Sequence, residues 1–69
     1  MRPTTTYLVC YDIADDKRLK KVFAACRAFG DHLQYSVFRA DLTDKGRAER
    51  VAKLDTLIDH SVDKILIVD

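Results

Sequence analysis

The sequence lacks several features that would assign a function directly. It contains two cysteines, Cys10 and Cys26, and neither stands at metal-ligand spacing from another cysteine or a histidine. Both lie in apolar stretches, so we interpret them as small buried side chains rather than as a disulfide or redox pair. No apolar run approaches the ~20 residues of a membrane span, and no secretory segment follows Met1. We therefore expect a cytoplasmic protein without a membrane anchor.

The short length of the chain limits the number of domains and the stability of the hydrophobic core that it can form. Its 69 residues form at most one domain, and a core of this size rarely supplies more than roughly 3–5 kcal/mol. Hydrophobic residues make up 48% of the sequence and charges of both signs are interspersed, which argues against disorder. There are no repeats, linkers or low-complexity tracts. We expect a single domain over residues 1–69 that folds with help from a second subunit.

Charge is nearly balanced overall but is sorted locally. The net charge of +1 gives no general indication of nucleic-acid binding. Three aspartates, Asp12, Asp15 and Asp16, precede a stretch without acidic residues. That stretch holds five basic residues: Lys17, Arg18, Lys20, Lys21 and Arg27. Such a run is usually a solvated helix face, and its functional alternative is a surface that binds phosphate without reading sequence.

The first third of the chain predicts a strand followed by a helix. Residues 4–11 are β-branched and aromatic, and the end of this segment is apolar on consecutive positions, which indicates burial on both faces. Either Asp15 or Asp16 suits the N-cap of the helix. The apolar stripe of the helix consists of Leu19, Val22, Phe23, Cys26 and Phe29. We expect Gly30 to be the left-handed residue that closes it.

The rest of the chain predicts further strands and a second helix. Residues 32–42 read as one bent strand or a hairpin, and periodicity alone leaves that choice open. Their apolar positions are Leu33, Tyr35, Val37 and Phe38. Thr43 suits the cap of a second helix. Its apolar positions are Val51, Leu54, Leu57 and Ile58. Residues 65–68 predict a last strand that is buried on both faces.

With a hairpin in the middle, this order predicts a ferredoxin-like βαββαβ fold of the α+β class. Both helices then lie on one face of an antiparallel sheet. The first and last strands are apolar on both sides, so the other face of the sheet also needs a cover. A second copy of the chain is the simplest cover, and we expect a face-to-face homodimer.

Asp12 is the strongest candidate for chemistry. A charge at the carboxyl end of an apolar strand indicates a turn cap, an ion-pair partner or a metal ligand. One carboxylate is a poor magnesium site, but a two-fold axis near this strand end would bring two copies of Asp12 together. A magnesium ion held there would favour phosphodiester cleavage. The turn cap remains the simpler interpretation of Asp12. Ser36 lacks activating companions and His32 is a lone histidine, so spacing alone establishes no catalytic constellation.

Four segments of the chain resemble those of the CRISPR-associated Cas-two family. Residues 7–13, ending in Tyr-Asp-Ile, and the charged residues 15–18 resemble the family's first strand and helix start. Residues 33–38, Leu-Gln-Tyr-Ser-Val-Phe, resemble its second signature. Residues 41–43 lead into the second helix, and residues 64–69 resemble the fourth strand. The order and spacing of these segments agree with the family from about Thr5 onwards.

The resemblance implies a homodimer of ferredoxin-like subunits with a hairpin turn near Tyr35 and Ser36. It also implies that Asp12 of each subunit faces its mate across a cleft that holds Mg²⁺. The residues carried over as catalytic are Tyr11, Asp12, Ser36 and Phe38. The residues expected to bind nucleic acid are Arg18, which is carried over, and Lys17, Lys20 and Lys21 from the basic run.

Two functions follow from the resemblance. The first is metal-dependent cleavage of single-stranded RNA or double-stranded DNA. The second is a non-catalytic bridge between two dimers of the CRISPR integrase, which sets the length of DNA captured as a spacer. Members of the family usually have a fifth strand that pairs with the partner's sheet, and this sequence stops at Asp69 after the fourth. We therefore expect a weaker dimer and an unpaired edge that invites aggregation.

Overall fold

Six elements follow one another in the computed structural model, which describes residues 3–69. They are β1 (Thr5–Asp12), α1 (Asp16–Arg27), β2 (Asp31–Gln34), β3 (Val37–Leu42), α2 (Asp44–Asp55) and β4 (Lys64–Val68). This order confirms the predicted βαββαβ arrangement, and the turn between β2 and β3 confirms the hairpin. The first two residues of the expected domain 1–69 lie outside the described residues. Neither helix of residues 3–69 has the length and hydrophobicity to span a bilayer.

The strands form one antiparallel sheet in the order β2-β3-β1-β4. Val9 in β1 lies opposite Phe38 in β3 and Ile67 in β4. Residues that face each other across antiparallel strands share a face of the sheet, so these three define one face. Both helices pack on this helix-covered face. The core consists of Val9, Tyr11, Val22, Cys26, Phe38 and Leu54.

Side chains at the helix starts account for where the helices begin. The carboxylate of Asp15 accepts a hydrogen bond from the Arg18 backbone N–H at 3.0 Å, which makes Asp15 the cap of α1. The hydroxyl of Thr43 accepts one from the Gly46 N–H at 3.0 Å and caps α2 as predicted. These bonds satisfy backbone donors that have no partner within the helix. Helix α2 ends at Asp55, so Leu57 and Ile58 pack against the core from the turn that follows.

The prediction that Gly30 is a left-handed residue is wrong. No described glycine has a positive φ, and Ala28, the C-cap that follows α1, lies in the right-handed region. Glycine is needed at position 30 for space, because a Cβ there would lie 2.8 Å from the carbonyl oxygen of Arg39. The close approach of β3, rather than backbone conformation, therefore excludes a side chain at this position.

The second face of the sheet is uncovered in the single chain. We call it the open face. It is apolar through Leu8, Cys10, Val37, Leu66 and Val68. The exposed fractions of Leu8, Leu66 and Val68 are 41%, 62% and 43%. The predicted burial on both faces is therefore wrong for the single subunit: β1 is buried on the helix-covered face only, and Ile65 and Ile67 of β4 are partly buried there. Within residues 3–69, the outer edge of β4 has no partner strand.

Candidate active site at the end of the first strand

Asp12 is the last residue of β1, opposite Lys64 in β4. Strand alternation puts its side chain on the same side of the sheet as Cys10 and the rest of the open face. Asp12 is exposed, and within residues 3–69 it takes part in no ion pair. The turn after β1 is capped by Asp15 instead. The simplest alternative for Asp12, a helix-capping role, is therefore filled by another residue.

A groove of about 580 Å³ opens beside Asp12, between the first turns of α1 and the turn that joins β2 to β3. We call it the Asp12 groove. Its apolar wall consists of Tyr11, Ile13, Leu19 and Phe23. Its polar and aromatic rim consists of Asp12, Lys20, Tyr35 and Ser36. The backbone N–H of Tyr11 donates to the carbonyl oxygen of Ser36 at 3.1 Å, which joins the strand end to the turn.

The groove brings together three of the four residues expected to be catalytic, and Phe38 lies behind it. Tyr11 is 6% exposed, and its ring stacks on Phe38 with the centroids 6.2 Å apart. Burial raises the pKa of the Tyr11 phenol above its usual value. Phe38 is fully buried. It therefore presents no atom to solvent and supports the site through packing.

Arg18 forms a buried ion pair with Asp63. The Arg18 Nε lies 2.8 Å from Asp63 Oδ2, and Nη2 lies 3.3 Å from Oδ1. Such a two-point contact fixes the relative orientation of the two groups. The side chain of Asp63 is fully buried and that of Arg18 is 30% exposed. The sequence analysis expects the Arg18 guanidinium to bind nucleic acid. In the structure this group contacts Asp63 instead.

Asp63 also accepts two backbone hydrogen bonds. The N–H groups of Ala14 and Asp59 each donate to its carboxylate at 2.8 Å. The bond from Arg18, helped by these two, holds the pKa of Asp63 well below its usual range against the opposing effect of burial. The bond to Ala14 fixes the loop that directly follows Asp12. Sequence reasoning missed Asp63, which directly precedes the apolar strand β4, whereas Asp12 was singled out at the carboxyl end of β1.

The three lysines expected to bind nucleic acid are all exposed on α1. Lys20 lines the Asp12 groove. Lys17 and Lys21 are exposed on the same helix outside the groove lining. Of these three lysines, Lys20 therefore lies at the groove, and the other two add positive charge on the same helix.

The turn between β2 and β3 has an unusual backbone. Tyr35 has a φ of 40°, the only positive φ of a non-glycine residue within 3–69, and its side chain is 86% exposed. The Nε2 of His32 donates to the Tyr35 carbonyl at 2.6 Å, since a carbonyl oxygen can only accept. The imidazole packs against Phe23 and Phe38, with centroid separations of 5.0 Å and 4.9 Å.

Asp12 alone satisfies only part of what a magnesium ion needs. Within residues 3–69, no group of three or more carboxylate, histidine or cysteine side chains is arranged to hold a metal ion. Magnesium in proteins is typically held by one or two carboxylates, several waters and phosphate oxygens. An exposed carboxylate without an ion-pair partner fits that type of site. It does not fit a site made entirely of side chains from one chain.

The sequence model of CRISPR associated protein Cas2, the Cas-two family, matches residues 5–69 of the chain. The chain belongs to the Cas2 family. Asp12, the Asp12 groove and Asp63 all lie within the matched range. The predicted resemblance is thereby confirmed.

Curated Cas2 relatives are similar over most of the chain. It is 40% identical over 63 residues to the CRISPR-associated endoribonuclease Cas2 1 of Rhodospirillum rubrum, covering 91% of the chain and 62% of that protein. It is 44% identical over 61 residues to the CRISPR-associated endoribonuclease Cas2 2 of Thermodesulfovibrio yellowstonii, covering 88% and 67%. The chain thus spans about two thirds of the length of these relatives.

Solved structures confirm the ferredoxin-like Cas2 fold. Streptococcus pyogenes Cas2, crystallised at pH 6.5, superimposes with a TM-score of 0.87 at 28% identity, covering 94% of this chain and 84% of that one. The hypothetical protein TT1823 from Thermus thermophilus superimposes with a TM-score of 0.92 at 29% identity, covering 94% and 79%.

Proposed function

We propose that the protein is a metal-dependent CRISPR nuclease that cleaves phosphodiester bonds of single-stranded RNA or double-stranded DNA at Asp12. The observation that carries this proposal is the exposed Asp12 carboxylate, which has no ion-pair partner within residues 3–69 and borders a groove that also holds Lys20. The names of the Rhodospirillum and Thermodesulfovibrio relatives, both called endoribonucleases, support RNA as one substrate. In this proposal the protein acts in the cytoplasm.

The active form in this proposal is a face-to-face homodimer. The open face is apolar through Leu8, Leu66 and Val68, and a second copy of the same face would bury it. Asp12 lies at the end of that face, opposite Lys64. Packing about a two-fold axis near this end would bring two Asp12 carboxylates together and supply the pair that one chain lacks.

The residues of the chain have separate roles in the reaction. Asp12 from each subunit would hold Mg²⁺, which when bound lowers the pKa of a coordinated water and offsets charge on the leaving oxygen. Lys20 attracts the phosphate, and Lys17 and Lys21 extend the positive surface along α1. The raised pKa of Tyr11 keeps its phenol protonated at neutral pH, so that group can donate a hydrogen bond but cannot serve as a base.

The first experiment compares the parent protein with Asp12→Asn. Labelled single-stranded RNA and duplex DNA are incubated with magnesium or with a chelator. Loss of metal binding removes several kcal/mol of transition-state stabilisation. We therefore expect the cleavage rate of Asp12→Asn to be at least about a hundredfold lower than that of the parent. Asp16→Asn is the matched control, because it removes the same charge from an exposed position in the first turn of α1. Its rate should stay within about twofold of the parent rate.

Two outcomes would count against the nuclease. One is an Asp12→Asn protein, folded by circular dichroism, that cuts as fast as the parent. The other is parent cleavage that survives the chelator.

A non-catalytic bridge between two integrase dimers is the second candidate function. It is favoured by the Asp12 groove, which has only one carboxylate in its lining, and by the outer edge of β4, which is unpaired within residues 3–69 and can accept a strand from another protein. Co-elution of the protein with its integrase at physiological salt tests this role. A folded dimer that neither cuts nucleic acid nor co-elutes would exclude both candidates.

A further inference from the structure

We propose that the Asp12 groove binds an unpaired nucleobase, which stacks on the ring of Tyr35 while the adjoining phosphate lies near Lys20. This proposal rests on the proposed action on nucleic acid and refines it, because it makes single strands the preferred ligand. It assigns the groove to a base and Tyr35 to its recognition.

The first observation is the position of Tyr35 itself. An aromatic side chain that is 86% exposed forms part of the rim of a groove whose wall is otherwise apolar. Its backbone has a φ of 40°, a region that is unfavourable for a residue with a large side chain. Such backbone conformations persist where the surrounding structure enforces them, and they are concentrated at ligand-binding sites.

The second observation is that the turn is held rigidly. His32 donates to the Tyr35 carbonyl at 2.6 Å, and its imidazole is fixed against Phe23 and Phe38. On the other side of Tyr35, the carbonyl of Ser36 accepts the Tyr11 N–H at 3.1 Å. Hydrogen bonds therefore hold the backbone on both sides of the Tyr35 side chain, so less backbone entropy is lost when a ligand stacks on the ring.

The third observation is the chemistry of the groove. Its volume of about 580 Å³ is within the usual range for a small-ligand site. The wall formed by Ile13, Leu19 and Phe23 offers apolar surface to a flat ring. Lys20 on the rim offers positive charge, and Lys17 and Lys21 are exposed on the same helix. A flat apolar ring joined to an anionic backbone matches this combination of surfaces.

Base pairing determines which nucleic acids can use such a groove. In a duplex, both faces of each internal base are stacked and its edge is paired, so the base cannot reach a protein ring without leaving the helix. Unpaired bases are free to stack on aromatic side chains, and this contact tolerates any sequence. The groove should therefore select single strands without selecting a particular base.

The test measures binding in the presence of a chelator, so that cleavage plays no part. The probes are a fluorescein-labelled RNA hexamer of uridines and a labelled blunt-ended RNA duplex that is long enough to stay paired at the assay concentration. The main variant is Tyr35→Asn, because asparagine tolerates a positive φ and the turn should be kept. Tyr35→Phe retains the ring. Leu33→Asn is the matched control, since Leu33 is 53% exposed in the same hairpin but does not line the groove.

Loss of base stacking should weaken binding of the hexamer to Tyr35→Asn by roughly tenfold. Binding of the duplex should change by less than about twofold, and Tyr35→Phe and Leu33→Asn should bind both probes like the parent. The proposal is overturned if Tyr35→Asn binds the hexamer as tightly as the parent, or loses hexamer and duplex equally. Equal weakening in Tyr35→Phe would also overturn it, because the hydroxyl rather than the ring would then be responsible.

The same variants separate this proposal from the nuclease and from dimerisation. If Asp12→Asn abolishes cleavage while Tyr35→Asn binds the hexamer normally, the nuclease stands and the base site is overturned. If hexamer binding depends on the Tyr35 ring but Asp12→Asn cuts normally, the base site stands and the nuclease assignment fails. If Tyr35→Asn changes only the dimer dissociation constant in sedimentation, the groove is occupied by a second copy and the base site is overturned.

Discussion

The two faces of the sheet are built by the same strands but have opposite environments. On the helix-covered face, Val9 and Phe38 are completely buried. On the open face, the neighbouring positions Leu8 and Leu66 are 41% and 62% exposed although they are equally apolar. Residue type alone therefore does not decide burial, because the helices cover only one side. A domain with one layer of helices on one sheet buries only one face of the sheet. An apolar second face therefore indicates a protein-interaction surface.

The largest expected effect on stability comes from a substitution in the core on the helix-covered face. Phe38→Ala should lower the free energy of unfolding by about 3–5 kcal/mol, because it removes a fully buried ring and leaves a cavity. A loss of that size is comparable with the whole stability of a domain this small. Urea denaturation followed by circular dichroism measures it. Leu66→Ala on the open face is the control, and under conditions where the protein is monomeric it should lie within about 0.5 kcal/mol of the parent. Similar losses for the two variants would contradict the contrast between the faces.

A second prediction concerns the buried ion pair that closes one end of the helix-covered face. The pKa of Asp63 is lower in the folded protein, so folding is stabilised above the unfolded pKa near 4, and this contribution is lost as the pH falls below it. Asp63→Asn should lower the melting temperature at pH 7 by on the order of 10 °C. The difference from the parent should shrink between about pH 4 and pH 2.

Thermal denaturation over this pH range measures that effect. Asp55→Asn is the control, because Asp55 is exposed. The melting temperature of this variant should follow that of the parent over the whole pH range. A constant difference between Asp63→Asn and the parent from pH 7 to pH 2 would show that the carboxylate charge is not the cause.

The smallest expected effect on stability comes from the open face. Leu66→Lys should weaken the proposed homodimer at least tenfold, since it introduces a charge into the apolar centre of the contact. The melting temperature of the monomer should change by only a few degrees. Sedimentation equilibrium gives the dissociation constant, and Lys53→Glu on α2 is a control outside the face. An unchanged dissociation constant for Leu66→Lys would remove the open face from the dimer.

The parts of the fold that were predicted correctly depend on local sequence. Thr43 was predicted as a cap, and Asp15 was one of two candidates with Asp16, because short polar side chains suit that position. The stripe of α1 follows from helical spacing. Gly30 was misjudged because its constraint comes from the Arg39 carbonyl on another strand. Asp63 was missed because its partners Arg18 and Ala14 are 45 and 49 residues away. Contacts at such distances leave no periodic pattern in one sequence.

The candidate site was predicted in part. The family resemblance identified Tyr11, Asp12 and Ser36, and the fold brings them together at one groove. The role proposed here for Tyr35 was not predicted, because an aromatic residue within an apolar strand pattern is typical of a core position. Tyr35 is 86% exposed in the turn, where its φ is 40° and its carbonyl accepts a hydrogen bond from His32. These features belong to the hairpin and leave no pattern in the sequence.

The hydrogen bond between Ala14 and Asp63 has a consequence for the order of events during synthesis. The two residues are separated by 49 positions, and ribosomes add about 5–20 residues per second, so roughly 2–10 s pass between them. During that interval the loop after Asp12 has no carboxylate to hold it, although the residues of β1 are already part of the chain. A nascent chain therefore carries Asp12 before it carries a finished site, and the site acquires its shape only when Asp63 arrives and β4 docks beside β1.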